Sequence, residues 1–256
     1  MFPGAEYRIL HRGVFAAEDF ILHRLSGKKR FSATTRRLIN AAWQEARLNP
    51  HLDIYNGEVW CLERWECHAE PTIDRPKLHL YLRQSDYKSF YGTNIRHAAL
   101  LPSDQLSNAL AACVVVETTE GSIFVGRRNP RLAETSGVWH VPGGTFDQPI
   151  NPLALISREL KEELNLDSED FQALVCLGLG ENLLYRKPEL LCYAHLHLNE
   201  RQLASKLKDA IDLHEHSEHV FVPVEELADF VRIHPFAPIG KAAVEVYLQY
   251  IQPYVT

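Results

Sequence analysis

Cysteine is sparse and unpatterned in this chain. The five residues Cys61, Cys67, Cys113, Cys176 and Cys192 are odd in number and include no Cys-x-x-Cys spacing. That speaks against a disulfide framework and against a structural zinc site. Cys113, Cys176 and Cys192 lie inside apolar runs, where a small buried residue is the simplest reading. No apolar run approaches the roughly 20 residues of a membrane-spanning helix. The opening residues, Met-Phe-Pro-Gly-Ala-Glu, lack a basic-then-apolar leader pattern. A reducing, cytoplasmic setting without a membrane partner is therefore the default expectation. Positive charge is not in excess either. The formal net charge of −6 argues against a general nucleic-acid binder. One local basic stretch, Lys28, Lys29, Arg30, Arg36 and Arg37, reads as a solvated helix start, with a phosphate contact as the alternative. Internal repeats and low-complexity tracts are absent.

What is present is an ordinary globular balance, 46% hydrophobic and 23% charged over 256 residues. That length suffices for one large domain or two small ones. Residues 34–48 carry Leu38, Ile39, Ala42, Trp43 and Ala46 at helical spacing, with Thr34 or Thr35 as N-cap and Asn49-Pro50 as the stop. Strand patterns cover Glu58–Glu66 and Lys77–Arg83. The polar-aromatic segment 85–94, ending in Gly-Thr-Asn, reads as a loop. Ala111–Thr118 and Ser122–Arg128 read as a hairpin, Phe171–Leu179 and Glu189–Leu198 as strands, and Arg201–Ala210 and Ile239–Gln252 as helices. A change of character near Ser107 suggests an N-terminal module, 1–107, and a mixed α/β domain, 108–256.

The chemistry concentrates in residues 143–166, GGTFDQPINPLALISRELKEELNL. Leu153, Ile156, Leu160 and Leu164 recur every three or four residues and form one buried helical stripe. Glu159 and Glu163 then share a face one turn apart, with Glu162 beside them. Like charges at this spacing destabilise an isolated helix by roughly 0.2–0.5 kcal/mol per pair. A bound cation would relieve that repulsion, and an all-oxygen donor set favours Mg²⁺, with Mn²⁺ as the alternative. Spacing alone equally describes a solvated helix face balanced by Arg158 and Lys161.

The residues around these glutamates resemble the Nudix box, G-x5-E-x7-R-E-U-x-E-E-x-G-U with U aliphatic. Gly144 supplies the opening glycine, Arg158-Glu159-Leu160-Lys161-Glu162-Glu163 falls in register, and Leu166 closes the motif. Ile150 replaces the first glutamate and Asn165 the second glycine. Asn is a mild change, because it tolerates the left-handed conformation that ends helices. Ile removes a carboxylate. The resemblance implies an α/β (α+β sandwich) Nudix fold with an additional N-terminal α/β module. It further implies that Glu159 and Glu163 are metal ligands, that Glu162 is a ligand or its neighbour, and that Arg158 orients the carboxylates. The catalytic base lies in the box or in a later loop, here HEHSEH at 214–219, which makes Glu215 and Glu218 candidates. The three histidines of that loop read as a polar turn ahead of a strand at Val220–Val222.

The likeness extends to most of the chain and is similar to the UDP-glucose/UDP-galactose diphosphatases among animal Nudix-like proteins. It is carried by Ala42–Leu48, by segment 85–94, by Arg127-Arg128, by Ala133-Glu134 and by Val141–Gly144. That subgroup shares both departures from the box. The resemblance implies a small-molecule nucleotide-sugar as partner, cleaved to UMP and a sugar 1-phosphate. Tyr87, Phe90 and Tyr91 would then stack on the base, and Thr93 and Asn94 would read the uracil edge or ribose. An aromatic plug between modules is the equal alternative for this segment. Gly143 and Gly144 would approach the phosphates. Of Arg127 and Arg128, one points to the diphosphate, and Arg127 is the candidate. Two other functions fit the box, a Nudix hydrolase of ADP-ribose or a related compound and a non-catalytic nucleotide sensor marked by Ile150.

Overall fold

The computed structural model describes residues 6–69 and 75–251. In chain order the elements are β1 (Tyr7–Phe15), β2 (Phe20–Arg24), α1 (Ala33–Arg47), β3 (Glu58–Ala69), β4 (Pro76–Asp86) and α2 (Tyr87–Phe90). There follow β5 (Ala111–Glu117), β6 (Ser122–Arg128), β7 (Trp139–His140), β8 (Gly143–Thr145) and α3 (Pro152–Leu164). The chain continues through β9 (Phe171–Asn182), β10 (Lys187–Leu196), α4 (Glu200–Leu207), β11 (His216–Pro223), α5 (Val224–Ile233) and α6 (Pro238–Ile251). Gln252, the expected end of the last helix, lies outside the described residues. Among the described residues, no helix is long and apolar enough to cross a membrane.

The expected α/β class holds. The main sheet runs β1-β9-β10-β5-β6-β11, with β8 paired to β5 and β7 to β6. Its central strands β5 and β10 are parallel to one another. Successive side chains point to opposite faces of a strand, so a strand covered on both faces reads as a continuous apolar run. In β5, Ala112, Val114 and Val116 meet the core that contains α3 and α4, whereas Cys113 and Val115 meet the core that contains α5 and α6. This sandwich buries Cys113, Cys176 and Cys192.

A second sheet, β2-β4-β3, packs its Leu78, Leu80 and Leu82 into the α3-side core. The two sheets are joined by backbone. Trp60 N–H donates to Phe146 O at 2.7 Å, and Leu110 N–H donates to Trp60 O at 2.9 Å. β1 pairs with β9 at the edge of the main sheet, so that sheet is not built from residues 108–256 alone.

The helix anticipated at 34–48 is α1, capped by Ser32 Oγ, which accepts from Thr35 N–H at 3.0 Å. Neither Thr34 nor Thr35 is the cap. Segment 85–94 is not a loop. Asp86 caps α2 by accepting from Ser89 N–H at 2.8 Å, and a wider π-type turn, Tyr91–Ile95, follows directly. Gly92 presses against Ile39 of α1, where a β-carbon would meet the Ile39 backbone at 2.6 Å. Asn94 ties this turn to the main sheet's β9–β10 connection. Its Nδ2 donates to Tyr185 O at 2.9 Å, and its Oδ1 accepts from Asn108 N–H at 3.1 Å. Both partners lose their bond in Asn94→Ala. That variant should lower stability by about 2–3 kcal/mol, read as a urea midpoint; an unchanged midpoint would contradict the role of Asn94 as a joint.

Candidate active site

The glutamate helix is defined at both ends by local chemistry. Asn151 Oδ1 accepts from Leu153 N–H at 3.0 Å, and Pro152 occupies the first turn, where its missing N–H is harmless. Asn165 terminates the helix at φ 57°, the left-handed conformation that Asn tolerates. Leu153, Ile156, Leu160 and Leu164 are buried, as their spacing requires. The opposite side of α3 therefore faces β8 and a cleft.

That cleft is a cavity of about 410 Å³, a usual size for a small-molecule site. Gly143, Gly144, Arg158, Glu159 and Glu162 form one wall. Asp53 to Tyr55, Gly57 to Val59 and Tyr87 line it from the N-terminal half, and Arg128, Glu134, Asp212 and Glu215 complete it. Eight carboxylates and two guanidinium groups border this space. A diphosphate entering such a field needs cationic charge brought in with it.

Gly144 lets the Glu159 carboxylate lie directly against β8, in space that a β-carbon would occupy. Burial and then the Glu163 charge push the Glu159 carboxyl up to about 7, against the opposing pull of Arg158. Arg158 donates to Glu159 at 3.2 Å and to Asp147 at 2.8 Å. Glu163 is nearly enclosed. Its Oε1 accepts from Gly143 N–H at 3.1 Å, and its Oε2 accepts from His216 Nε2 at 2.8 Å. Burial, followed by the Glu163 charge, raises the Glu215 carboxyl.

Behind β8 lies a second, smaller polar chamber that shares Arg128, Glu134, Gly143 and Gly144 with the cleft. Lys187 donates to Glu134 at 2.8 Å there, with side chains only 6% and 17% exposed. Burial alone would lower the Lys187 ammonium, but Glu134 and Glu189 outweigh it and leave it raised. Burial pushes the Glu189 carboxyl up to about 7, with Lys187 opposing. His140 is held neutral, far below its ordinary value, by burial and the nearby cations.

The structure sorts the expected site residues. Arg158, Glu159, Glu162, Gly143, Gly144 and Tyr87 border the cleft, and Glu163 stands behind Gly143. Phe90, Thr93 and Asn94 do not reach it. All three are fully buried, Phe90 against Val59, Cys61 and Ala109. Thr93 Oγ1 donates to Ser89 O at 2.7 Å. Tyr91 packs against Trp43, which favours the plug for this segment, with Tyr87 alone at the cleft. Arg127 also points away, donating to Gly137 O at 3.1 Å and to Glu218 at 3.3 Å. Its neighbour Arg128 faces the cleft. The alternation along β6 decides between them, and only the sheet's orientation reveals which residue is inward. Glu218 sits on exposed β11 beside Arg127, whereas Glu215 borders the cleft. The expected polar turn at 214–219 is instead a short 3₁₀ turn that enters β11 at His216. Asp147, Lys187 and Glu189 were not singled out by the sequence, and Glu134 entered only through the Ala133-Glu134 likeness. Glu134 and Lys187 meet across 53 residues, a pairing that only the fold reveals.

An α/β sandwich that presses a carboxylate helix onto a glycine turn at an acidic cleft has the architecture of the Nudix superfamily. The NUDIX domain model matches residues 107–243, just over half the chain, and the chain belongs to that family. Members generally use a divalent metal such as Mg²⁺ or Mn²⁺. No curated protein matches the chain. Among solved structures it resembles a mutT/nudix family protein from Listeria innocua, at 18% identity and TM-score 0.45, covering 57% of this chain and 96% of that one. It also resembles the NUDIX domain of Shewanella oneidensis NrtR complexed with ADP ribose, at 17% identity and TM-score 0.43, with coverage of 62% and 99%. A third is a bifunctional NMN adenylyltransferase/ADP ribose pyrophosphatase from Francisella tularensis, complexed with AMP and a Mn ion. There identity is 12%, the TM-score 0.39 and coverage 56% and 42%.

The Glu189 carboxyl yields a prediction with a definite sign. With its value raised from 4.5 to about 7, the folded chain holds a proton that the unfolded chain has released between these pH values. Stability therefore falls as pH rises through that window. Glu189→Gln should stabilise the fold at pH 8 by about 1–3 kcal/mol and leave it unchanged at pH 4. Urea midpoints at the two pH values, without divalent metal, test this, and equal midpoints at pH 8 would refute it.

Proposed function

We propose that this protein hydrolyses the diphosphate of a UDP-sugar, such as UDP-glucose or UDP-galactose, to UMP and a sugar 1-phosphate. The observation that carries the reading is the composition of one cleft. The Nudix carboxylates and Gly143-Gly144 form one wall, and residues 53–59 with Tyr87 form another. A substrate with a diphosphate between two bulky ends suits a site with these two unlike walls. Residues 1–107 would contribute the nucleotide side.

The donor set fits a hard divalent ion. It is all oxygen, and Glu159, Glu162 and Glu163 crowd adjoining positions of α3, where a cation would offset their mutual repulsion. Among the described residues, no three His, Cys, Asp or Glu side chains are already gathered tightly enough to hold an ion. Glu159, Glu162 and Glu163 would hold it together with water and phosphate oxygens, the habit of Mg²⁺. When bound, such an ion neutralises diphosphate charge and eases deprotonation of a water. Arg158 holds Glu159 and Asp147 in place by charge-assisted hydrogen bonds. Arg128 presents its guanidinium to the phosphates. Glu215, raised by burial and bordering the cleft, is placed to accept the proton of the attacking water through its carboxylate.

The test is release of UMP and sugar 1-phosphate from UDP-glucose, with Mg²⁺ and with chelator, beside ADP-ribose. Metal-dependent release from UDP-glucose is expected. Release from ADP-ribose alone would keep Nudix hydrolysis and discard the UDP-sugar. Ligand binding without turnover of either compound would favour a sensor, with Ile150 as its mark. Glu159→Gln should lower turnover roughly 100-fold or more while the fold persists. Arg128→Ala should lower kcat/KM at least about tenfold, consistent with the loss of one charged hydrogen bond. Arg127→Ala should stay within about twofold, and a reversed order of the two arginines would refute the inward assignment of Arg128.

A further inference from the structure

His216 belongs to no part of the Nudix box, yet three features of the fold converge on it. The first is a bulge. β11 pairs His216 with Arg128 and Glu218 with Arg127, so Ser217 is an extra residue in the ladder. Bulges re-aim side chains, and this one accompanies an inward turn of His216, whose neighbours Ser217 and Glu218 stay exposed. The second is a vacancy in the sequence of β6. A β-carbon at Gly126 would collide with the His216 ring, so only glycine leaves that ring its place. The third is the contact itself. His216 Nε2 donates to Glu163 Oε2 at 2.8 Å, and the two side chains are only 6% and 5% exposed. The second oxygen of Glu163 accepts from Gly143 N–H at 3.1 Å. His216 Nδ1 is buried without a hydrogen-bond partner among the described residues. The ring thus spends its one polar contact on Glu163, and Phe124 meets it edge-on at 5.6 Å.

We propose that His216 is a positioning residue for the metal site, clamping the Glu163 carboxylate against Gly143 so that its remaining lone pairs are presented in one orientation. A carboxylate has about four acceptor positions, so two hydrogen bonds leave capacity for a cation. Partners that orient ligands in this way typically govern metal affinity by 10–100-fold. The inference rests on the reading of Glu163 as a metal ligand, which the experiment tests separately.

Mn²⁺ binding to the full chain, without substrate, is followed by loss of the free-ion electron paramagnetic resonance signal. The variants are His216→Ala, His216→Gln, Gly126→Ala and Glu163→Gln, each checked for a cooperative thermal transition. Glutamine carries its amide nitrogen near the place of Nε2 and keeps the donor. The expected result is Mn²⁺ affinity weakened about 10–100-fold in His216→Ala and largely restored in His216→Gln. Glu163→Gln should be at least as weak as His216→Ala. Gly126→Ala displaces the ring without removing it and should weaken binding as well, which keeps the test open if His216→Ala does not fold. Wild-type affinity in His216→Ala together with a loss in Glu163→Gln would overturn the clamp and leave the metal assignment standing. Wild-type affinity in Glu163→Gln would overturn the metal assignment itself, and the clamp with it.

Discussion

The Glu163 carboxylate accepts from the Gly143 N–H, and one turn earlier Glu159 lies so close to Gly144 that no β-carbon fits between them. This contact between helix and glycine strand is what the rest of the structure supports. It brings two carboxylates together against the glycine strand, Glu159 at the cleft and Glu163 behind Gly143, an arrangement that burial makes unfavourable. The apolar stripe of α3 supplies the compensating force. Leu155, Ile156, Leu160 and Leu164 are fully enclosed by the core, and each side chain of this kind contributes roughly 1.5–3 kcal/mol on burial. The helix is held down by its leucines, and its glutamates are thereby held where isolated carboxylates would not stay.

The N-terminal half matters to this site by shaping its far wall. Asp53 to Tyr55, Gly57 to Val59 and Tyr87 border the cleft. They are tied to α2 and the turn after it, with Ile54 packed against the cluster that holds Tyr91 and Gly57 O accepting from Tyr87 N–H at 2.9 Å. Gly92 lets this turn lie on α1, and Asn94 bonds it to the β9–β10 connection. The same connection begins β10, where Lys187 grips Glu134 on the loop after β6. A continuous set of contacts thus runs from α1 through Asn94 and Lys187 to a carboxylate at the cleft. β1, at the far edge of the main sheet, adds a second attachment of the N-terminal half.

How legible all this was depended on whether a role came from local pattern or from distant contact. The buried stripe of α3 and its end at Asn165 could be read because both follow from residues within a few positions of one another, whereas the Asn151 cap emerges only from the structure. Segment 85–94 misled for a physical reason. Its aromatic and polar residues are those of a binding loop, but Phe90, Thr93 and Asn94 use the same groups to pack and to satisfy backbone in the interior. Arg127 and Arg128 were visibly alternate, yet choosing between them needs the orientation of β6 against β11 and β7. Glu215 and Glu218 posed the same problem, complicated by the Ser217 bulge, which breaks the period that a sequence reading relies on. β1, β2 and α5 gave no clear signal, since β1 and β2 are only partly buried along most of their length.

The departure of Ile150 from the box takes on a different meaning once its surroundings are known. Ile150 packs against the core beside α3, immediately before the Asn151 cap. A glutamate with that orientation would bury a charge against apolar side chains, which is costly unless paired. Three residues earlier, Asp147 borders the cleft and receives the same Arg158 that contacts Glu159. A loop carboxylate thus lies at the cleft rim, while position 150 is occupied by a packing residue. An arginine bridging two carboxylates keeps Glu159 oriented without a further glutamate at position 150. Arg158 therefore has one carboxylate partner on the loop and one on the helix, although position 150 carries none.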